Sequence, residues 1–242
     1  MDYTKALLSL LVFFSAFPVP VVAGEKPSEA EPPSWKSLFD GKTLDGWTVR
    51  KYGGDGAVQV QNGCLSIGMG AGLSGLTLSE KKEKEIPRMD YEIRYEARRM
   101  MGSDFFAALT FPVGEAYCSF INGGWGGGTI GLSSLDGFDA SENGSGDFYA
   151  FKDLRWYQFR VRVRKENISV WIKPLPEGKE ATEAAGDGPA SDKWKEKQVI
   201  DCDTRGKKVG LRFEMETYRG LAFCTWMAEG EIRNVEIRKL GD

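Results

Sequence analysis

The sequence predicts an all-β fold in which two antiparallel sheets stack as a jelly-roll sandwich. Three observations point there. Short runs alternate apolar and polar residues with period two between clusters of Gly, Asp and Asn. Glycine supplies 30 of the 242 residues, against a usual share of roughly 7%, so turns are frequent. The aromatic residues (14 Phe, 8 Tyr and 7 Trp) suit a pleated, half-buried surface. Past residue 23 no stretch carries a 3.6-residue apolar stripe over three turns.

Taken in order, the chain opens with Lys5, an apolar run from Ala6 to Phe17, Pro18 and Pro20, and small residues up to Ala23. This is the layout of a secretory signal cut after residue 23, so the expected location is periplasmic or secreted, with no transmembrane segment left after cleavage. Residues 24–34 are polar and proline-rich and read as a flexible leader. Residues 35–242 are expected to form a single domain. Ser79–Glu85 is so uniformly charged that it reads as a solvated loop. Met89–Ala97 alternates cleanly, with Met89, Tyr91, Ile93 and Tyr95 on one face. Asp104–Phe111 is apolar on both faces and reads as a central strand. Tyr157–Val163 alternates again, its Arg160 and Arg162, with Arg164 beyond, on a solvated face that pairs with Glu and Asp neighbours. Residues 174–190 read as a surface insertion. Val209, Leu211, Phe213 and Met215 predict a third alternating strand, and Leu221–Met227 a second central one.

Composition excludes several functions. The 32 basic residues against 35 acidic ones give a net charge of −3, so there is no field to hold nucleic acid. There is no histidine, which removes imidazole acid/base chemistry, His-dependent nucleophile systems and His-ligated zinc. Catalysis, if present, rests on carboxylates, Lys, Arg, Tyr, Cys or an oxygen-bound metal. The four cysteines (Cys64, Cys118, Cys202, Cys224) allow three full disulfide pairings in an exported chain, or buried thiols.

Six motifs stand in order along the chain: Ser37-Leu38-Phe39-Asp40-Gly41-Lys42-Thr43-Leu44-Asp45-Gly46-Trp47, then Asn62-Gly63-Cys64-Leu65, Gly102-Ser103-Asp104-Phe105-Phe106, Leu135-Asp136-Gly137, Arg155-Trp156-Tyr157 and Ile232-Arg233-Asn234-Val235-Glu236-Ile237. Together they resemble the motifs of the family of 3-keto-disaccharide hydrolases. The resemblance spans about residues 35–240. It implies a concanavalin A-like, laminin-G-like sandwich in an exported bacterial protein that acts on or binds glycans. Family members that cleave oxidised sugars tend to carry histidine and acidic groups in the loop after the Leu-Asp motif; here only the acids are present.

The chemistry implied by the resemblance starts from a ketone at C3, which acidifies the C2 proton so that a carboxylate can remove it and the C1 substituent can leave. In that reading Glu214 or Asp104 is the base and Arg212 supplies positive charge. Asp104 otherwise caps a turn, and Glu214 otherwise belongs to a salt-bridged strand face. Trp125, in the glycine run Asn122–Gly128, is a platform for a sugar ring or else covers the core. Asp136 and Trp226 complete the candidate substrate contacts. Asp136, Asp139 and Glu142 could gather Ca²⁺, or simply belong to a solvated glycine-rich loop. The rival to an enzyme is a non-catalytic carbohydrate-binding or adhesion module, and in both readings the partner is a glycan or small saccharide.

Overall fold

The computed structural model of the protein describes residues 34–185 and 189–241. The expected signal, all but the last residue of the leader, and residues 186–188 of the expected insertion lie outside these. Two antiparallel sheets account for the strands among the described residues. One, eight-stranded, runs in the order Lys197–Asp203, Asn167–Pro174, Tyr157–Arg164, Tyr91–Gly102, Ala228–Lys239, Cys64–Ile67 and Val58–Gln61, with Lys36–Ser37 also pairing Ala228–Lys239. The other, seven-stranded, runs Asp147–Phe148, Thr129–Ser133, Ala116–Gly123, Ala108–Val113, Ala222–Trp226, Leu73–Leu78 and Trp47–Arg50. Sequence neighbours repeatedly lie in different sheets, the connectivity of a jelly roll.

The alternation builds the layers. Tyr91, Ile93, Tyr95, Phe159 and Val161 point from the eight-stranded sheet into one core, where they meet Leu76, Leu109, Phe111, Phe120 and Phe223 of the other sheet. The opposite face of the seven-stranded sheet is not bare. Leu73, Ala108, Ile121, Ala222 and Cys224 form a second cluster there with Phe105, Ala140, Met215 and Tyr218. Small residues make that face approachable: Gly75, Cys224 and Ala108 are register partners, and a Cβ on Gly131 would come 2.8 Å from the Ala140 Cβ.

Two expectations fail here. Val209–Glu216 is not a strand; Val209 makes only an isolated bridge to Leu135, and Phe213–Tyr218 is a 3₁₀ turn. Met215 and Tyr218, three residues apart, both face the sheet, which is the eclipsed spacing of a 3₁₀ helix. Phe213 is 87% exposed, so the apolar alternation does not mark a buried face. Ser79–Glu85 holds a one-turn helix, Glu80–Glu83, rather than a plain loop. Its Glu83 has an anchoring task, accepting hydrogen bonds from the Leu221 N–H at 2.8 Å and the Tyr117 hydroxyl at 3.1 Å. The insertion carries a helix, Glu180–Ala184, clasped by Arg155 Nη1 at 2.8 Å from the Glu180 carboxylate. The central strand read from Asp104 begins at Ala108, leaving Asp104–Ala107 as its lead-in.

All four cysteines are free thiols, three of them buried. Burial pushes Cys118 up to about 12, which suppresses the thiolate and with it disulfide exchange. A melt of the folded protein is therefore expected to be unchanged by dithiothreitol; a drop of several degrees would reveal a disulfide. Among the described residues no helix is long and apolar enough to cross a membrane.

Candidate functional site

The second cluster leaves a cavity of about 220 Å³ over the seven-stranded sheet. Leu73, Phe105, Ile121, Met215 and Trp226 provide its apolar walls, with Trp125 at the opening. Asp104, Ser133, Arg212 and Glu214 are its polar groups. An apolar hollow with a few convergent polar groups is the usual form of a small-molecule site.

Three segments bring these groups together. The glycine run turns sharply at Gly123, with φ of 89°, and places Trp125 at φ 46°, the residue 42% exposed. Gly124 lets the turn lie close on the sheet, because a Cβ there would come 2.9 Å from Ile121 Cγ2 and force that side chain to shift. Buried Arg99 props the turn from below, donating from Nη1 to the Gly127 carbonyl at 3.0 Å while Nε pairs with Asp153 at 2.6 Å. Trp125 is thus a rim residue and does not cover the core.

Asp104 lies on the lead-in before Ala108–Val113. Its Oδ1 accepts the Phe105 N–H at 2.8 Å, and the Trp125 N–H is a second donor. Burial nevertheless raises its pKa above the ordinary 3.8, outweighing those two N–H groups and the more distant charges of Arg99 and Arg212. Asp104 therefore caps the turn and faces the cavity at once.

The 3₁₀ turn delivers the opposite wall. Met215 anchors it, its sulfur 3.8 Å from that of Cys224. Arg212 at the turn's start pairs through Nε with Glu214 Oε2 at 2.9 Å and through Nη1 with Asp139 Oδ2 at 2.9 Å. Its guanidinium sits 5.8 Å from the Trp125 ring centre. Glu214 thus reaches the cavity from a turn and not from mid-strand. Of the acidic loop, only Asp139 touches this machinery.

The expected Ca²⁺ set does not form. Asp136 is exposed in a separate cleft with Asp201, Asp203 and Lys207, its Oδ1 accepting the Lys208 N–H at 2.7 Å. Asp139 is occupied by Arg212 and by Ser141 at 2.7 Å, and Glu142 is exposed to solvent. The loop is closed instead by Asn143, which donates to the Leu132 carbonyl at 2.7 Å. Among the described residues no three Asp, Glu or Cys side chains are grouped to hold a metal ion. Asp136 is likewise absent from the cavity as a substrate contact, whereas Trp226 is present. Ser133, which the sequence reading passed over, lines the cavity; it was marked only by its place on the outward face of Thr129–Ser133.

The model of a family described as a 3-keto-alpha-glucoside-1,2-lyase-like domain matches residues 34–238. No curated protein matches the chain. Among solved structures, a putative glycosyl hydrolase from Parabacteroides distasonis is similar at a TM-score of 0.42 and 11% identity, over 86% of this chain and 94% of that one. The Ca²⁺-bound exoplasmic/lumenal domain of VIP36 is similar at a TM-score of 0.49 and 9% identity, over 81% and 84%. SCLam, a non-specific endo-beta-1,3(4)-glucanase of family GH16, is similar at 0.43 and 10%, over 88% of each chain.

Proposed function

The chain belongs to the 3-keto-alpha-glucoside-1,2-lyase-like domain family, and from that membership we propose that it cleaves a 3-keto-glycoside in the cavity between Asp104, Arg212 and Trp125. Family membership supports a glycan-active protein. The observation that carries the finer reading is a carboxylate made more basic by burial, facing a guanidinium and an exposed indole across one cavity.

In this reading Asp104 takes the proton from C2 of the sugar. The electron pair spreads onto the C3 oxygen as an enolate, then returns to form the C1–C2 double bond as the C1–O bond breaks. The departing oxygen leaves as an alcohol after gaining a proton. Addition of water across the new double bond turns this lyase outcome into hydrolysis. Arg212 supports the enolate: its Nε and Nη1 are held by Glu214 and Asp139, which fixes the plane of the guanidinium and leaves Nη2 for a ligand oxygen. Of the two carboxylates suggested by sequence, Asp104 is the better base, because Glu214 is committed to Arg212. Trp125 stacks on the sugar, and the apolar walls exclude water from the enolate.

The test is release of methanol from methyl 3-keto-α-glucoside by the mature protein. Sugar binding without release would favour the carbohydrate-binding module, a reading supported by the absence of histidine. Trp125→Ala is expected to raise KM about tenfold, the loss of ~1.4 kcal/mol of stacking, with kcat within about threefold of wild type. An unchanged KM would remove Trp125 from the site. We also place the protein outside the cytoplasm, on the layout of residues 1–23; N-terminal sequencing of the exported protein, starting near Gly24, checks this.

A further inference from the structure

The outward face of the seven-stranded sheet carries a row of small side chains that are register partners across five strands: Thr77, Ala222, Thr110, Ser119 and Ser133. The hydroxyls of this row are paired with one exception. Thr77 Oγ1 accepts from Arg50 Nε at 3.0 Å, and Thr110 and Ser119 bond each other at 2.8 Å. Ser133 is 1% exposed and its Oγ has no hydrogen-bond partner. It is also the member of the row that lines the cavity.

A buried hydroxyl without a partner costs roughly 1–3 kcal/mol, and in a cavity wall that hydroxyl is open to a partner from outside the chain, a water or a ligand. We propose that Ser133 is a specificity-determining residue whose hydroxyl bonds one sugar hydroxyl at the floor of the cavity. This rests on the reading of the cavity as the glycoside site. Ser119, its Cα partner, is unable to satisfy it because Ser119 is turned to Thr110. The Ser133 hydroxyl can donate or accept, so it suits an alcohol, which does both. Lying on a strand and not on the 3₁₀ turn, it reads a fixed position of the ring.

The experiment compares kcat/KM of wild type and Ser133→Ala on methyl 3-keto-α-glucoside and its 2-, 4- and 6-deoxy forms. Wild type is expected to lose about tenfold on one deoxy substrate. Ser133→Ala is expected to lose about as much on the full substrate and nothing further on that same deoxy form. Its melting temperature should equal or exceed that of wild type, since no internal bond is removed. If wild type turns over the substrate and Ser133→Ala shows the same deoxy profile, the role of Ser133 falls and the site reading stands. If wild type releases no methanol from any of them, both fall.

Discussion

Asp104→Asn is expected to bind methyl 3-keto-α-glucoside with KM near that of wild type and to turn it over at least ~10²-fold more slowly, the usual contribution of a positioned general base. The substitution is close to isosteric. Asn keeps an acceptor for the Phe105 and Trp125 N–H groups that Asp104 engages, so the rim of the cavity should hold its shape while losing the proton acceptor. The pH profile supplies an independent readout. Wild-type kcat/KM should climb as pH rises through the Asp104 pKa, which burial holds above 3.8, and this limb should vanish in the Asn variant. Stability should move the other way. A raised carboxyl pKa means that the ionised form is disfavoured in the folded protein: the cost is absent below the unfolded pKa and complete above the folded one. At neutral pH the Asn variant should therefore melt no lower than wild type, and its difference from wild type should shrink on acidification. Turnover within threefold of wild type would remove Asp104 as the base and leave Glu214 as the candidate.

What could be read from sequence follows from the range of the interactions involved. Met89–Ala97 and Tyr157–Val163 show period two because each strand decides its faces locally; the strands run Tyr91–Gly102, starting two residues later than read, and Tyr157–Arg164. Asp104, Trp125, Arg212, Glu214 and Trp226 were all singled out, and all line one cavity. Local chemistry marks Asp104, a carboxylate opening an apolar run, and Trp125, an indole among glycines; Arg212 and Glu214 read in sequence as the face of a strand and reach the cavity from a 3₁₀ turn instead. The acidic loop misled for the opposite reason. Its composition suggests cation ligands, but the partners that claim its side chains, Arg212 for Asp139 and the Leu132 carbonyl for Asn143, are distant in sequence. Val209–Glu216 was ambiguous in principle. Alternation and an i, i+3 pair are both present, and the sheet on which Met215 and Tyr218 pack, with Ala108, Ala222 and Cys224 in the same cluster, is built from strands distant in sequence. Ser133 was unremarkable until a cavity stood over it.

The largest stability effect is expected far from the cavity, on the outer face of the eight-stranded sheet, where Glu92→Ala should cost about 3 kcal/mol. The sequence suggested a solvated arginine face. The pairing is present and Arg162 and Arg164 remain 39% exposed, but the carboxylate at its centre is not solvated: Glu92 is 0% exposed and stands among three arginines. Its Oε1 accepts from Arg160 Nη1 and Arg162 Nε, each at 2.7 Å, and its Oε2 from Arg238 Nε at 2.8 Å. Indole rings cover the array: Trp171 lies 3.8 Å from Arg160 and 4.8 Å from Arg162, and Trp35 lies 4.5 Å from Arg238. Removing the carboxylate leaves three like charges converging on one point under those rings, of which Arg160 keeps the Glu196 carboxylate, 3.0 Å from its Nε. Breaking a buried pair costs about 3–5 kcal/mol, and the lower figure applies because Arg162 and Arg238 still reach water, with side chains 39% and 26% exposed. For a domain of this size that is a fall of about 6–12 °C in melting temperature. Glu216→Ala, which breaks an ion pair whose side chains are 51% and 46% exposed, should shift it by less than about 2 °C. The same array predicts acid sensitivity. Burial alone would raise the Glu92 pKa, but hydrogen bonds from Arg162 and Arg238 and the charge of Arg160 prevail and hold it below the ordinary 4.5. A depressed carboxylate contributes its stability above the unfolded pKa and loses it as pH falls through the folded one. Wild type should therefore lose stability on acidification below about pH 4.5 more steeply than Glu92→Gln, in which no proton can be taken up at that position. Parallel acid titrations of the two proteins would sink this account of the array, as would a Glu92→Ala melt within 2 °C of wild type.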